Sequence, residues 1–243
     1  MSTSLVIRTG FSPLRSVVAR ANADLEHIFV IAGPSGSGKS TLMREFVLDR
    51  LPREISDYLP EAAKTWHRTS GNELSRKGLA RVLGKHRGAA GIVVHYDIMR
   101  AYSRGFGRYE NDPAWKALRE SSAAITVLTV LPPREVLFDQ FIKRARSGEY
   151  EEWWDKRSIL RPLKRKLRGT FNRLTGRSPR ILKDGHLRLL AVYGSETGLK
   201  QWSTRWEKYL DGLRTGERRV RLIYVAPDAL QEGHPRFRLL RRV

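Results

Sequence analysis

Apolar residues fall along this chain in two patterns, short unbroken runs and spacings of three and four. The run HIFVIA at 27–32 is continuous and rich in β-branched and aromatic residues, as expected of a strand buried on both faces. GIVVHYD at 91–97 and AITVLTVL at 124–131 repeat that pattern, RVRLIYVAP at 219–227 predicts a last core strand, and AKTWHR at 63–68 a shorter one. Helical spacing fills the intervals. Leu42, Met43, Phe46, Val47 and Leu51 predict a helix that Pro52 ends, and Asp112-Pro113 is a helix start, a capping side chain followed by proline at the first turn. Residues 132–146 predict a helix with Val136, Leu137, Phe141 and Ile142 inward, and a later helix places Trp202, Trp206, Tyr209 and Leu213 on one face. Strands alternating with helices predict a doubly wound, mainly parallel α/β sheet with helices on both faces.

The composition changes once. From Lys156 to Lys183 there are eleven basic residues and no acidic one, with Leu160, Leu163, Leu167, Phe171 and Leu174 at helical spacing. A hairpin signal, Asp184-Gly185, follows it. We expect a single domain over 1–243, with its core at about 25–150 and 184–228 and a basic helical insertion or lid at about 151–183.

Charge sharpens the list of partners. The chain carries 46 Lys and Arg against 25 Asp and Glu, a net charge of +21. That excess predicts attraction to anionic partners and says nothing about fold. With no cysteine, disulfides, thiolate metal sites and a cysteine nucleophile are excluded. The N-terminal stretch lacks the apolar core of a signal peptide, and no apolar run approaches the ~20 residues that span a bilayer. The expectation is a cytoplasmic protein without a transmembrane segment.

One stretch carries specific chemistry. GPSGSGKST at 33–41 fits G-x-x-x-x-G-K-[ST], with a strand before it and a helix after it. Gly33, Gly36 and Gly38 let the backbone curl so that successive N–H groups, including those of Ser35 and Ser37, face phosphate oxygens. The helix N-terminus adds partial positive charge at the same place. Lys39 can reach the β- and γ-phosphates, the Ser40 hydroxyl can join a Mg²⁺ shell, and Thr41 can donate to the α-phosphate.

The stretch resembles the Walker A loop of the P-loop NTPases, and GPSGSGKST is similar to the loops of guanylate kinases, related metabolite kinases and ABC-transporter ATPases. The resemblance implies a P-loop type of sheet, with ATP and Mg²⁺ as cofactors. No LSGGQ-like signature of an ABC ATPase is present, and residues 52–90 do not reproduce the guanine-nucleotide segment of guanylate kinases.

Asp97 ends the strand GIVVHYD, where P-loop proteins place a second acid that holds a Mg²⁺ water or takes a proton from an acceptor; it can also simply cap the next turn. Ile98 stands where hydrolytic motors resemble Asp-Glu, which favours transfer over hydrolysis. His95 reads as a satisfied core histidine, and Arg100 as a partner for a substrate anion or for the Asp97 carboxylate. Arg144 and Arg146, with Lys143, end the helix after the third strand, where kinases resemble a lid that steadies the transferring phosphoryl group; cations facing the helix dipole are the competing explanation. Residues 66–70 fall where an acceptor pocket would lie.

The expected function is therefore ATP-dependent phosphotransfer to a nucleotide or other small anionic acceptor. The alternatives are a nucleic-acid-associated P-loop ATPase or switch, binding nucleic acid or another polyanion through 156–183 and 236–242, and a protein of anionic polysaccharide or lipid assembly.

Overall fold

The computed structural model describes residues 25–84, 89–138, 140, 191–216, 219–227 and 237–242. Arg144, Arg146 and the basic segment 156–183 lie outside them, as does the hairpin signal at Asp184-Gly185.

The apolar runs form the centre of one six-stranded sheet. Its strands are β1 (His27–Gly33), β2 (His67–Ser70), β3 (Gly91–Asp97), β4 (Ala124–Val130), β5 (Val220–Pro227) and β6 (Phe237–Arg242), in the order β2-β3-β1-β4-β5-β6. The first five are parallel, and β6 adds an antiparallel edge. The fold is therefore α/β, with a mixed and mostly parallel sheet. The predicted strand at 63–68 is displaced: Glu61–Lys64 is a 3-10 turn, and pairing with β3 begins only at His67.

Alternation within the strands builds a core on each face. One face joins Phe29, Ile31, Val93, Leu128 and Ile223 to Leu42, Met43 and Phe46 of α1 (Lys39–Val47) and to Ile55 of α2 (Arg53–Ser56). The opposite face joins Val30, Val94, Tyr96 and Val127 to α3 (Gly71–Lys77), α4 (Leu79–Leu83), α6 (Pro113–Arg119) and the long α7 (Glu196–Gly216). The short α5 (Arg100–Ser103) lies between β3 and α6. In α7 the residues Leu199, Trp202, Trp206, Leu210 and Leu213 are buried at three- and four-residue steps. Trp206 stacks on Tyr96 at 5.4 Å, and its indole N–H donates to Thr129 Oγ1 at 3.1 Å. Each such buried side chain contributes about 2–3 kcal/mol.

Three local expectations need correction. α1 stops at Val47, so Leu51 is buried beyond the helix rather than on it. Val136 is exposed while Leu137 is buried, because the helical residues 134–138 turn only one of the two inward. The C-terminal run, read from sequence only for its charge, is strand β6. Among the described residues no helix is long and apolar enough to cross a membrane.

Candidate functional site

The glycine loop connects β1 to α1 at the C-terminal edge of the sheet. Three of its glycines hold positive φ, with Gly33 at 152°, Gly36 at 87° and Gly38 at 91°. At Gly33 a Cβ would lie 2.5 Å from Ser37 Oγ and 2.7 Å from the carbonyl oxygen of Val130, so the loop can close only without a side chain there. Gly38, in the left-handed conformation, begins α1 with no side-chain cap and no acid in the first turn. The amino end of α1 therefore keeps its partial positive charge uncompensated by its own first turn.

The Lys39 ammonium folds back over the loop, donating to the carbonyls of Gly33 at 2.9 Å and Pro34 at 2.7 Å. Ser37 is buried, and its hydroxyl has no hydrogen-bond partner among the described residues. Ser40 is exposed on the first turn of α1 and Thr41 half-buried beside it. Ser35 contributes its carbonyl to the Tyr193 hydroxyl at 3.4 Å.

The loop is braced by segments distant in sequence. The Phe237 ring lies 3.7 Å from where a Gly38 Cβ would sit, and Leu137 lies 3.5 Å from that of Gly36. Sequence reading missed Tyr193 and Phe237. Only the Phe-x-Leu alternation of 237–239 hints at a strand, and nothing local says that the strand ends under this loop.

Parallel pairing of β1 and β3 sets Asp97 level with Gly33, and the amide of Ile98 donates to the Gly33 carbonyl at 3.2 Å. One Asp97 oxygen accepts from the Met99 amide at 2.9 Å, which is the turn-capping role; the other has no protein partner among the described residues. The chain after β1 leaves toward the α1 face, whereas that after β3 enters the opposite core through Ile98, Met99 and Ala101. Gly33 and Asp97 thus flank a point where neighbouring connections diverge, the place where open α/β sheets leave a crevice.

His95 and Arg100 depart from expectation. Tyr96, not His95, is the fully buried neighbour; His95 is half-buried on the α1 face and makes no hydrogen bond among the described residues. Burial, with the positive charges of Lys39 and Arg68, pushes its imidazole down to about 4, so it is neutral near pH 7. Arg100 does not pair with Asp97. It is buried against Asp112, with Nε to Oδ2 at 2.9 Å and Nη2 to Oδ1 at 3.1 Å, and it also donates to Asn72 and Ser75. That network commits four of the five Arg100 N–H donors within the fold and buries the guanidinium.

Trp66 packs over Gly91 and tilts against His27 at 5.5 Å, so it belongs to the floor of the sheet, while Ser70 caps α3 by accepting from the Glu73 amide. In β6, Arg241 pairs with Glu207 at 3.0 Å and lies over the Tyr224 ring, so it is already engaged within the fold.

The residues suit a polyphosphate with Mg²⁺. The loop offers a glycine-lined cradle, an uncapped helix end and an orphaned buried hydroxyl. Among the described residues no group of three or more His, Cys, Asp or Glu is placed to hold a metal. One hydroxyl and one carboxylate, Ser40 and Asp97, match an ion that keeps waters and takes phosphate oxygens. No protein-family model matches the chain, and no curated protein matches it.

Proposed function

We propose that the chain is a P-loop phosphotransferase that binds a nucleoside triphosphate, ATP, with Mg²⁺ on residues 33–41 and transfers its terminal phosphoryl group to a small anionic acceptor. The observation that carries this reading is the joint placement of Lys39, the three positive-φ glycines and the uncapped start of α1 beside Asp97. Gly36 and Gly38 hold the phosphates by main-chain donors, the Ser37 amide donating instead to the Pro34 carbonyl at 3.2 Å, and Lys39 exchanges its two loop carbonyls for phosphate oxygens. Ser40 and Asp97 hold the Mg²⁺ shell, or Asp97 takes the proton of the acceptor hydroxyl. Arg144 and Arg146 are assigned to the transferring group by the resemblance alone. Ile98, following Asp97, supplies no carboxylate to polarise water, which favours transfer over hydrolysis.

The test is ATP turnover measured against nucleotides, phosphorylated sugars and oligonucleotides. Acceptor-dependent ADP release is expected, falling about a hundredfold or more in Lys39→Ala and in Asp97→Asn. Turnover unchanged in both variants removes the reading. Stimulation by oligonucleotides alone replaces it with the nucleic-acid ATPase.

A further inference from the structure

Beside the glycine loop, the α1 face of the sheet changes character along β3. At its base Trp66 covers Gly91, and Val93 is fully buried. Two residues on, His95 is only partly covered, and two further on comes Asp97. The lower half of this column is buried and the upper half only partly covered. On the neighbouring strand Arg68 stands opposite Val93, and parallel partners share a face, so its side chain rises on the same side as His95. Arg68 is exposed and has no hydrogen bond or ion pair among the described residues. Lys39 closes the other side: among the described residues, its charge and that of Arg68 both act on the His95 ring.

Two cations thus flank a half-buried imidazole that makes no hydrogen bond among the described residues, and each of the three comes from a different element. A solvated surface charge explains Arg68 alone. It does not explain why a partly buried histidine, with no hydrogen bond among the described residues, stands between two positive groups, a setting that favours an anion.

The geometry points to Arg68 and His95 as an oxyanion subsite that anchors the acceptor through its own phosphate or carboxylate group. This inference rests on the phosphotransferase reading and names its substrate class. His95 and Asp97 lie two residues apart on one face, about 7 Å at the usual strand rise. An acceptor anchored at Arg68 and His95 therefore meets Asp97 and the loop only if its reactive hydroxyl lies a few bonds from its charged group. That describes a small phosphorylated or carboxylated metabolite.

The experiment is calorimetric titration with inorganic phosphate, and in parallel with acetate, of protein saturated with Mg²⁺ and a non-hydrolysable ATP analogue. Binding of the analogue is measured first and tests the donor site alone. If it fails, the phosphotransferase reading fails, and the phosphate titration is run on Lys39→Ala protein, in which the glycine loop lacks its ammonium. Saturable phosphate binding is expected, weakened about tenfold or more in Arg68→Ala, with analogue affinity unchanged. His95→Gln, which keeps an N–H donor, is expected to bind phosphate better than His95→Leu. Tighter phosphate than acetate assigns a phosphorylated acceptor, and the reverse a carboxylated one. Absence of saturable binding of both anions, or equal affinity in wild type and Arg68→Ala, overturns the subsite.

Discussion

Arg100 holds Asp112 through two hydrogen bonds, 2.9 and 3.1 Å long and one to each carboxylate oxygen, in a pocket where the Asp112 side chain is wholly shielded from solvent. The Tyr96 hydroxyl donates to the same carboxylate at 2.7 Å, and the Ala114 amide at 2.9 Å. This cluster ties β3 to the start of α6. Asp112→Asn leaves the guanidinium buried without its counter-charge, and a loss of about 3–5 kcal/mol is expected in urea unfolding.

The same carboxylate sets an acid limit. Burial works against its ionised form, but the hydrogen bonds from Arg100, Ala114 and Tyr96 and the Arg100 charge outweigh it and hold the pKa below 3.8. A lowered folded pKa means that this stabilisation is complete above 3.8 and is lost as pH falls through the folded value. Unfolding midpoints followed below pH 4 are therefore expected to drop in the wild type, and to lose that component of the slope in Asp112→Asn.

The central strands and the glycine loop were legible because their signals are local. A continuous apolar run, or a glycine at a forced φ, is written into adjacent residues, and β1, β3, β4 and β5 fell where those runs lie. The Asp112-Pro113 helix start was equally plain, and its cap is observed. What sequence could not supply is pairing across distance. Sequence alone sets Arg100 against a substrate anion or against Asp97, three residues away, because nothing local reveals that Asp112 is the carboxylate it meets. Phe237 and Tyr193 reach the loop from more than 150 residues downstream. His95 was read as a core residue because an apolar strand surrounds it; its exposure depends on how far the covering elements extend.

Glycine substitutions in the loop are expected to rank by what a Cβ would meet. Gly33→Ala sets a methyl against the Val130 carbonyl, main chain that cannot swing aside. Gly36→Ala meets only ordinary contact with Leu137 at 3.5 Å, but its φ of 87° is strained for alanine. Gly36→Ala should cost about 1–2 kcal/mol, and Gly33→Ala clearly more, measured by thermal unfolding. Equal costs would show that the loop relaxes as a unit.

Phe237 makes β6 a support for the start of α1. Phe237→Ala is expected to cost about 3 kcal/mol in stability from the lost packing. It should also weaken binding of a nucleotide analogue, because the contact under Gly38 is lost, whereas Phe237→Leu should restore most of both. A stability loss with unchanged analogue affinity would confine Phe237 to the core.

His95 supplies the last expectation, in a different pH window. Burial first, then Lys39 and Arg68, lower its pKa from 6.5 to about 4. Between those values the unfolded chain takes up a proton that the folded chain refuses, so stability falls as pH drops from 6.5 toward 4 and levels off below. His95→Gln removes this dependence, and the difference between the two unfolding curves should appear across that window and vanish above it. Lys39→Met removes one of the opposing charges without touching the ring, so it should raise the His95 pKa and shift the window upward. Imidazole resonances followed by NMR would read that shift directly. An unmoved His95 titration in Lys39→Met would mean that Lys39 and His95 do not share one electrostatic environment, and would separate the glycine loop from the Arg68 and His95 pair beside it.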